Sequence, residues 1–298
     1  MTLKNFLRPT YSLIRRALFK ILPPETALRL EYWRAKGENL SFKSPKTIWE
    51  KIQWIKLYDR NPLYTTLADK YAARDYVEQV IGKQYLVKLY GVYEKTSEID
   101  WDVLPSAFIL KTAHGCGHNI LVADKKTLDK NQALKQLDAW LRVNLYYGSH
   151  SWAYKNIPPR IICEELLVPE DGRDLVDYKI HCMNGEPRFC QVIAERYHGK
   201  STAYYDLQWN RLPFHKLTDG CISEEIPRPS ALDEMVDLAR KLSKAAIYMR
   251  VDFYFLKGQI IFGEMTLYPT NGLAHFDPPE YNLWVGEMLT LPAQRRCS

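Results

Sequence analysis

The spacing of apolar residues predicts helices in three parts of the chain. Apolar side chains recur every three or four positions in residues 25–60, 127–146 and 231–249, and this period is typical of a helix that buries one face. Gly37 and Pro45 interrupt the first stretch, so we expect more than one helix there. The N-terminal part of the chain is therefore predicted to be helical.

Shorter runs rich in Val, Ile, Tyr and Phe predict β-strands. Such runs cover residues 107–112, 120–123 and 161–167. Two longer stretches, 177–193 and 250–266, each contain a glycine turn signal between two such runs. A strand, a turn and a second strand within one stretch predict an antiparallel hairpin, so we expect at least two hairpins.

The second of these hairpins carries charged side chains within its strands. Side chains alternate between the two faces of a strand. Arg250 and Asp252 therefore share one face of the first strand, and Glu264 and Thr266 share one face of the second. Whether the two pairs lie on the same face depends on the turn.

Two turns are compatible with this hairpin. A two-residue turn at Lys257-Gly258 would place Glu264 on the face opposite to Asp252. A three-residue turn that begins at Leu256 would set Glu264 opposite Arg250 and gather the four polar side chains. We predict the three-residue turn, because its glycine then stands at the position that needs a left-handed residue.

Two carboxylates and a hydroxyl group beside an arginine form a site of hard oxygen donors. Such donors suit Mg²⁺ that arrives with phosphate groups, so Asp252, Glu264 and Thr266 are the predicted metal ligands. Arg250 is the predicted catalytic cation, which would hold phosphate oxygens or a developing negative charge. An ordinary hairpin with a cross-strand pair between Arg250 and Glu264 explains the same residues.

A short loop with two glycines follows the strand 107–112. Lys111 stands at the end of this strand, and Gly115 and Gly117 follow it. A lysine at such a strand end can reach a phosphate while the loop N–H groups lie over the phosphates. The pattern is neither a Walker motif nor a Rossmann fingerprint, and a plain hairpin loop is the alternative.

Two further places could bind the remainder of a nucleotide. Glu164, Glu165 and Leu167 end a mostly apolar strand, which can offer backbone hydrogen bonds and an apolar wall to a base. In the hairpin 177–193, Asp177 and Lys179 share a face and could bind a ribose and a phosphate. Solvent-exposed strand residues are the alternative in both places.

The order of these segments resembles the ATP-grasp superfamily, and four motifs resemble its TupA-like family of polysaccharide-modifying proteins. The likeness extends over about residues 45–290. The motifs are Asp69-Lys70-Tyr71 with Arg74-Asp75-Tyr76-Val77, Leu110-Lys111-Thr112 with His114-Gly115, Asp177-Tyr178-Lys179, and Arg250-Val251-Asp252 with Gly263-Glu264-Met265-Thr266.

This resemblance implies an α+β ATP-grasp fold, in which two α+β lobes enclose an ATP cleft behind a helical N-terminal lead-in. The implied divisions are a helical region (1–66), a lobe with the glycine loop (67–166) and a lobe with the metal hairpin (167–298). ATP would lie under the glycine loop. The residues implied to bind it are Lys70, Lys111, His114, Gly115, Gly117, Glu164, Glu165, Leu167, Asp177 and Lys179.

The resemblance also implies a reaction. Mg²⁺ would be held by Asp252 and Glu264, and Lys111 and Arg250 would act on the transferring phosphoryl group. Many ATP-grasp enzymes have Asn where Thr266 stands, which leaves the number of metal ions open. An amine would be joined to a carboxylate through an acyl phosphate, and a uronic acid of a bacterial surface polysaccharide or its precursor is the expected acceptor.

Two other functions fit the same residues. A glycosyltransferase of polysaccharide biosynthesis could use the metal pair on a nucleotide sugar, and a non-catalytic nucleotide-binding protein could act within an assembly complex. The aromatic and cationic segments 146–155 and 268–272 are candidate substrate walls, with plain loop packing as the alternative.

Composition and charge restrict the expected binding partners and the expected cellular location of the protein. The net charge of +6 fits small anionic substrates better than nucleic acid, and no RNA-binding motif is present. The six cysteines lack a metal-binding spacing, so we expect reduced thiols and a cytoplasmic protein. Residues 1–23 mix apolar and basic side chains, which suits peripheral membrane contact, although packing on the protein body is our preferred interpretation.

Overall fold

The computed structural model describes residues 19–169, 174–194 and 201–293. Most of the basic N-terminal segment, for which peripheral membrane contact was considered, lies outside these residues. The helices are α1 (Pro24–Lys36), α2 (Ile48–Tyr58), α3 (Leu63–Ala68), α4 (Ala73–Val80), α5 (Lys130–Leu141), α6 (Leu232–Ser243) and α7 (Tyr281–Glu287).

The strands of the described ranges form a large, a small and a two-stranded sheet. They are β1 (Leu89–Tyr93), β2 (Phe108–Thr112), β3 (Asn119–Val122), β4 (Ile161–Glu164), β5 (Asp177–Met183), β6 (Glu186–Ala194), β7 (Ser201–Tyr205), β8 (His215–Lys216), β9 (Gly220–Cys221), β10 (Tyr248–Leu256), β11 (Gln259–Thr266) and β12 (Phe276–Asp277). The small sheet has the order β1-β4-β2-β3 and the large sheet β11-β10-β5-β6-β7-β9, while β12 pairs with β8. All pairs except β7 with β9 are antiparallel.

Each of the two larger sheets has its own hydrophobic core. The small core contains Phe108, Leu110 and Cys163 of the small sheet and Leu137 of α5. The large core joins the large sheet to α1, α2, α3, α4, α6 and α7. The N-terminal helices therefore share the core of the large lobe. The predicted division at residues 66 and 166 stays a prediction.

Local sequence explains where α1 ends and where α2 begins. Gly37, with φ of 70°, ends α1, and its N–H donates to Trp33 O, as is common at helix C-termini. Thr47 and Glu50 form a capping box at the start of α2, which satisfies N–H groups that the helix itself cannot pair. The predicted break between the two helices is thus confirmed.

The turn of the β10–β11 hairpin is shorter than we predicted. Leu256 pairs with Gln259, so the turn contains only Lys257 and Gly258, whose φ angles are 52° and 73°. Two successive left-handed residues are typical of the type I′ turn, which matches the twist of a two-residue hairpin. The predicted three-residue turn is therefore wrong.

A β-bulge at Gly263 changes the register that this short turn sets. Phe253 pairs with Phe262. The next pair joins Asp252 to Glu264, which leaves Gly263 as an extra residue in β11. One extra residue moves every later side chain to the other face of the strand. The carboxylates therefore lie on one face, directly opposite each other, whereas the predicted register set Glu264 opposite Arg250, two residues away from Asp252.

The strand 161–167 is also shorter than predicted. It ends at Glu164 as β4, and Glu165 and Leu167 follow it in a loop.

Among the described residues no helix is both long enough and apolar enough to cross a bilayer. The five cysteines in the described ranges are free thiols, whereas Cys297 lies outside them.

The close packing of α7 on the start of α2 requires glycine at position 286. A Cβ atom added to Gly286 would lie 2.2 Å from Lys46 O and 2.9 Å from Ile48 N. We expect Gly286→Ala to lower the thermal unfolding midpoint by several degrees, because overpacking typically costs about 1–3 kcal/mol. Gly148→Ala is the control, since a Cβ there meets no atom within 4 Å. Equal melting of both variants and the wild type would contradict this packing.

Candidate active site

Four polar side chains of the β10–β11 hairpin meet around one guanidinium group. Arg250 Nε and one terminal nitrogen each donate to Asp252 at 2.7 Å. The same terminal nitrogen donates to Glu264 Oε1 and to Thr266 Oγ1, both at 3.1 Å. The structure thus brings the predicted residues together, and the arginine lies at their centre.

Burial gives the two carboxylates different environments. Asp252 is 1% exposed, and one of its oxygens also accepts from Lys179 Nζ. Burial raises the pKa of Asp252, while Arg250 and Lys179 oppose that rise. The side chain of Glu264 is 37% exposed. Glu264 is therefore the carboxylate that a ligand can approach from solvent.

The guanidinium of Arg250 is held in its charged form. Burial alone would lower the pKa of Arg250, but its ion pairs with Asp252 and Glu264 raise it above the ordinary value. Its side chain is 13% exposed. A fixed positive charge therefore lies at the floor of the site, within reach of both carboxylates.

Lys70 connects this hairpin to the glycine loop of the small lobe. Its Nζ donates to Gly115 O at 2.5 Å and lies 4.0 Å from Glu264 Oε2. Its backbone N–H donates to Ala113 O at 3.1 Å. The loop also contains Gly117, with φ of 71°. The predicted phosphate loop and a predicted metal ligand therefore lie on either side of one ammonium group.

Lys111 is paired with a carboxylate of the neighbouring strand. Its Nζ donates to Glu164 Oε2 at 2.9 Å. The other oxygen of Glu164 accepts from Arg74 at 2.9 Å, and Arg74 also donates to Val87 O at 2.7 Å. Glu164 is 5% exposed, so a buried carboxylate between two cations fixes the position of Lys111.

Asp177 and Lys179 support the hairpin from the adjacent strand. Both side chains are buried, and Lys179 pairs with Asp252 across the β5–β10 ladder. Its Nζ donates to Asp177 Oδ1 at 3.2 Å as well as to Asp252. Their predicted ribose and phosphate roles stay predictions.

His181 lies on the same face of β5 as Asp177 and Lys179, and its side chain is buried. Its Nδ1 lies 2.8 Å from Tyr248 Oη and its Nε2 lies 3.4 Å from Gln191 Oε1. Burial and the positive charge of Arg250 keep the pKa of His181 well below its ordinary value. The neutral ring therefore serves as packing beneath the guanidinium.

The other predicted nucleotide-binding residues surround the cleft less directly. His114 is buried, with Nε2 3.3 Å from Trp140 O, and burial lowers its pKa. Glu165 is exposed and Leu167 is half-buried. The backbone N–H of Glu165 donates to Lys88 O at 2.9 Å. Their part in nucleotide binding stays a prediction.

A cleft opens beside the metal hairpin. About 300 Å³ of empty space, part of it open to solvent, lies between Lys70, Tyr154 and the β11 residues 262–265, with small apolar residues on the large-lobe side. Tyr154 borders this cleft and also lies near Arg250 and Tyr268. Glu264 and Lys70 are therefore the charged residues at its wall.

Sequence reasoning did not assign a partner to two cations that build the site. Arg74 holds Glu164, and Arg160 donates to the buried Asp69 at 2.7 Å. Arg74 and Asp69 belong to a motif on which the family resemblance rests, so the sequence singled these residues out. It did not indicate which residues they contact. Long-range ion pairs of this kind leave no periodic signal in a single sequence.

The donor set of the hairpin fits Mg²⁺. Asp252, Glu264 and Thr266 offer hard oxygens, which Mg²⁺ prefers, and an ionised carboxylate has about four acceptor positions. The ion pairs of Asp252 therefore leave capacity for a metal. Within the part of the chain that the structure describes, no three His, Cys, Asp or Glu side chains cluster as metal ligands, so phosphate oxygens and water would complete the coordination.

Several solved ligases have a similar arrangement of elements. A D-alanine–D-alanine ligase from Bacillus anthracis is 16% identical, with a TM-score of 0.41 over 68% of this chain and 57% of that chain. The ATP-grasp ligase PsnB, solved with a phosphomimetic precursor variant, Mg and ADP, is 10% identical, with a TM-score of 0.41 over 74% and 58%. The D-alanine–D-alanine ligase from Helicobacter pylori is 11% identical, with a TM-score of 0.42 over 81% and 68%.

The chain thus spans somewhat over half the length of the first and second of these structures. Among curated proteins there is no match. The model of the TupA-like ATP-grasp family matches residues 50–290, which is most of the chain and includes both lobes and the metal hairpin. The predicted α+β ATP-grasp fold is confirmed, and the protein belongs to the TupA-like ATP-grasp family.

Proposed function

We propose that this protein is an ATP- and Mg²⁺-dependent carboxylate–amine ligase that forms an amide through an acyl phosphate. The observation that carries the proposal is the convergence of Arg250, Asp252, Glu264 and Thr266 with Lys70 beside the glycine loop. Cations and hard oxygen donors at one cleft are what the transfer of a phosphoryl group requires. The lobe arrangement supports the same reaction.

The proposed chemistry has two steps. A carboxylate oxygen of the acceptor attacks the γ-phosphorus of ATP, the bond to the bridging β–γ oxygen breaks, and ADP leaves. The amine then attacks the acyl carbon and loses a proton, and inorganic phosphate leaves. Activation is needed because a free carboxylate resists attack by an amine at neutral pH.

The residues of this chain would act by position and charge. Arg250 carries a fixed positive charge toward the transferring group, since its ion pairs keep it protonated. Lys70 and Lys111 would hold phosphates once these displace their present protein partners. Bound Mg²⁺ would supply further neutralisation of phosphate charge. A glycine loop that closes over the phosphates would exclude water.

The substrates and the location belong to the proposal as well. The family resemblance supports a sugar carboxylate, namely a uronic acid of a bacterial surface polysaccharide or its precursor, and an amino acid or another amine. The free cysteines support a reducing, cytoplasmic environment. Small molecules rather than nucleic acid are the proposed partners.

The proposed reaction predicts a specific product pattern. The purified protein should release ADP and phosphate from ATP only when a carboxylate and an amine are both present. A coupled ADP-release assay across amino acids and uronic acids, with chelation and return of Mg²⁺, measures this dependence. Release of AMP, or product formation without ATP, would contradict a ligase of this class.

Glu264→Gln tests the metal hairpin with little risk to folding, because the side chain is partly exposed. We expect ADP release to fall by roughly 100-fold or more, the usual effect of losing one electrostatic contact to the transition state. The matched control is Glu186→Gln, which neutralises an exposed carboxylate paired with Arg240. The control should keep wild-type activity. Equal activity of the two variants would refute the assignment of Glu264.

A further inference from the structure

Three segments that are distant in sequence meet beside the metal hairpin at Asn271. Gln53 Nε2 donates to Asn271 O at 2.9 Å, and Lys56 Nζ donates to Asn271 Oδ1 at 2.7 Å. Ser151 Oγ lies 3.4 Å from the same Oδ1. The two candidate substrate walls, 146–155 and 268–272, thus contact each other directly, and α2 contacts the second of them. We call this meeting point the 271 junction.

The backbone at the junction is strained. Thr270 and Asn271 have φ angles of 48° and 59°, and Gly272 follows with 67°. Non-glycine residues rarely adopt the left-handed region, and such strain persists only where the surrounding structure imposes it. Here α2 imposes it through buried Gln53 and Lys56. Strained backbone of this kind occurs preferentially at ligand sites.

Two buried polar groups at the junction lack hydrogen-bond partners. His150 is 5% exposed, and neither of its ring nitrogens has a partner. Tyr268 is also 5% exposed, and its hydroxyl lies near the backbone of Ala153 without the geometry of a hydrogen bond. An unsatisfied buried polar group costs free energy, so two of them in one place indicate a site built to receive something.

The charges around these groups specify what that ligand is. Burial and the nearby Lys56 and Arg60 lower the pKa of His150 to about 4. The ring is therefore neutral at pH 7, with one nitrogen able to donate and one able to accept. Lys56 donates to Gln53 and Asn271, so it contributes positive charge rather than a donor. The Arg60 guanidinium, an imidazole N–H and a phenol provide the donors, and an anionic oxygen group matches both the donors and the charge.

The junction lies close to the proposed reaction centre. Residue 268 follows Thr266 by two positions, which is at most about 7 Å of extended chain. Tyr154 lies near Glu264 and Arg250 of the hairpin and also near Tyr268 of the junction. The junction and the hairpin are therefore separated by the length of a small substrate.

We propose that the 271 junction, through His150, Tyr268, Lys56 and Arg60, binds a substrate carboxylate that is not itself activated by ATP. This proposal rests on the proposed ligase function. A carboxylate left near Arg250 would compete for phosphorylation, so a second acidic group needs a separate place. It belongs either to the amine substrate, as in an amino acid, or to a second acidic sugar of the acceptor.

Two variants remove the unpaired groups while keeping their shape. Tyr268→Phe deletes only the hydroxyl, and His150→Phe keeps the ring that stacks on Phe19 at 5.0 Å. Because each deleted group has no protein partner, Tyr268→Phe should not lower the melting temperature. Tyr64→Phe is the matched control, since the Tyr64 hydroxyl donates to Asp59 at 2.5 Å, and its loss should lower the melting temperature.

The kinetic readout separates binding from chemistry. Each junction variant should raise KM for the substrate with the second carboxylate by roughly 10-fold or more, the usual effect of losing a hydrogen bond to a charged group. The KM for ATP and the kcat should stay within about twofold of the wild-type values, because the lost contact stabilises the bound substrate and the transition state equally.

Paired probes identify which substrate carries the acidic group. On the amine side, amino acids are compared with their carboxamides. On the acceptor side, digalacturonate is compared with its monomethyl ester. The wild type should prefer the charged member of one pair, and Tyr268→Phe should abolish that preference. Calorimetric binding of the same probes without ATP provides a readout that does not require turnover.

The outcomes separate this proposal from the ligase assignment. If the wild type turns over but prefers neither charged probe, or if the variants keep its KM values, the junction proposal is wrong and the ligase assignment stands. If ATP is converted to AMP instead of ADP, yet calorimetry shows that Tyr268→Phe weakens binding of a charged probe, the ligase assignment is wrong, while carboxylate binding at the junction stands. Unchanged calorimetric binding in both variants overturns the junction proposal.

Discussion

The contact on which the site depends is the ion pair between Arg250 and Asp252, buried where the two strands of the hairpin lie side by side. Burying two charges is costly unless each is paired and hydrogen-bonded. Here the guanidinium also reaches Glu264 and Thr266, and Asp252 also accepts from Lys179. Because every charge is compensated, the Arg250 side chain keeps a fixed position. Glu264 stays partly exposed at the cleft, so it does not incur the desolvation cost of a buried carboxylate.

Residues 69–74 are one of the segments that connect the two lobes near this centre. This segment lies against the large core, yet its polar groups contact the small lobe: Lys70 reaches the glycine loop, and Arg74 reaches Glu164. Asp69 accepts from Arg160, whose carbonyl in turn accepts from the N–H of Ala113. A ligand that takes Lys70 or Lys111 away from its present partner therefore alters the same contacts that join the lobes, so nucleotide binding and lobe position are coupled through shared atoms.

The sequence was sufficient to predict most of the helices and strands, because periodicity and motif order report local structure, and it named the polar residues that meet at Arg250. It was insufficient for the hairpin register. The glycine in the Lys257-Gly258 pair suits either turn, and we predicted the longer one because it gathered the four polar side chains and placed Gly258 at the left-handed position. The protein instead combines the shorter turn with Gly263 as an extra residue. The hydrogen bonds of Arg74 and Lys179 were likewise not predictable, since they join residues that are 90 and 73 positions apart. The ring nitrogens of His150 have no hydrogen-bond partner that a pattern could report.

Gly263 has a consequence for how this family can change over time. Successive side chains along a strand point to alternate faces. The extra residue at the bulge reverses this alternation between the apolar half of the hairpin and the half that carries Glu264 and Thr266. Deletion of Gly263 alone would leave the hairpin hydrogen-bonded but would send Glu264 and Thr266 to the opposite surface. The number of residues in the paired segments is therefore constrained, whereas the length of the turn, and substitutions that keep this number, are far less constrained.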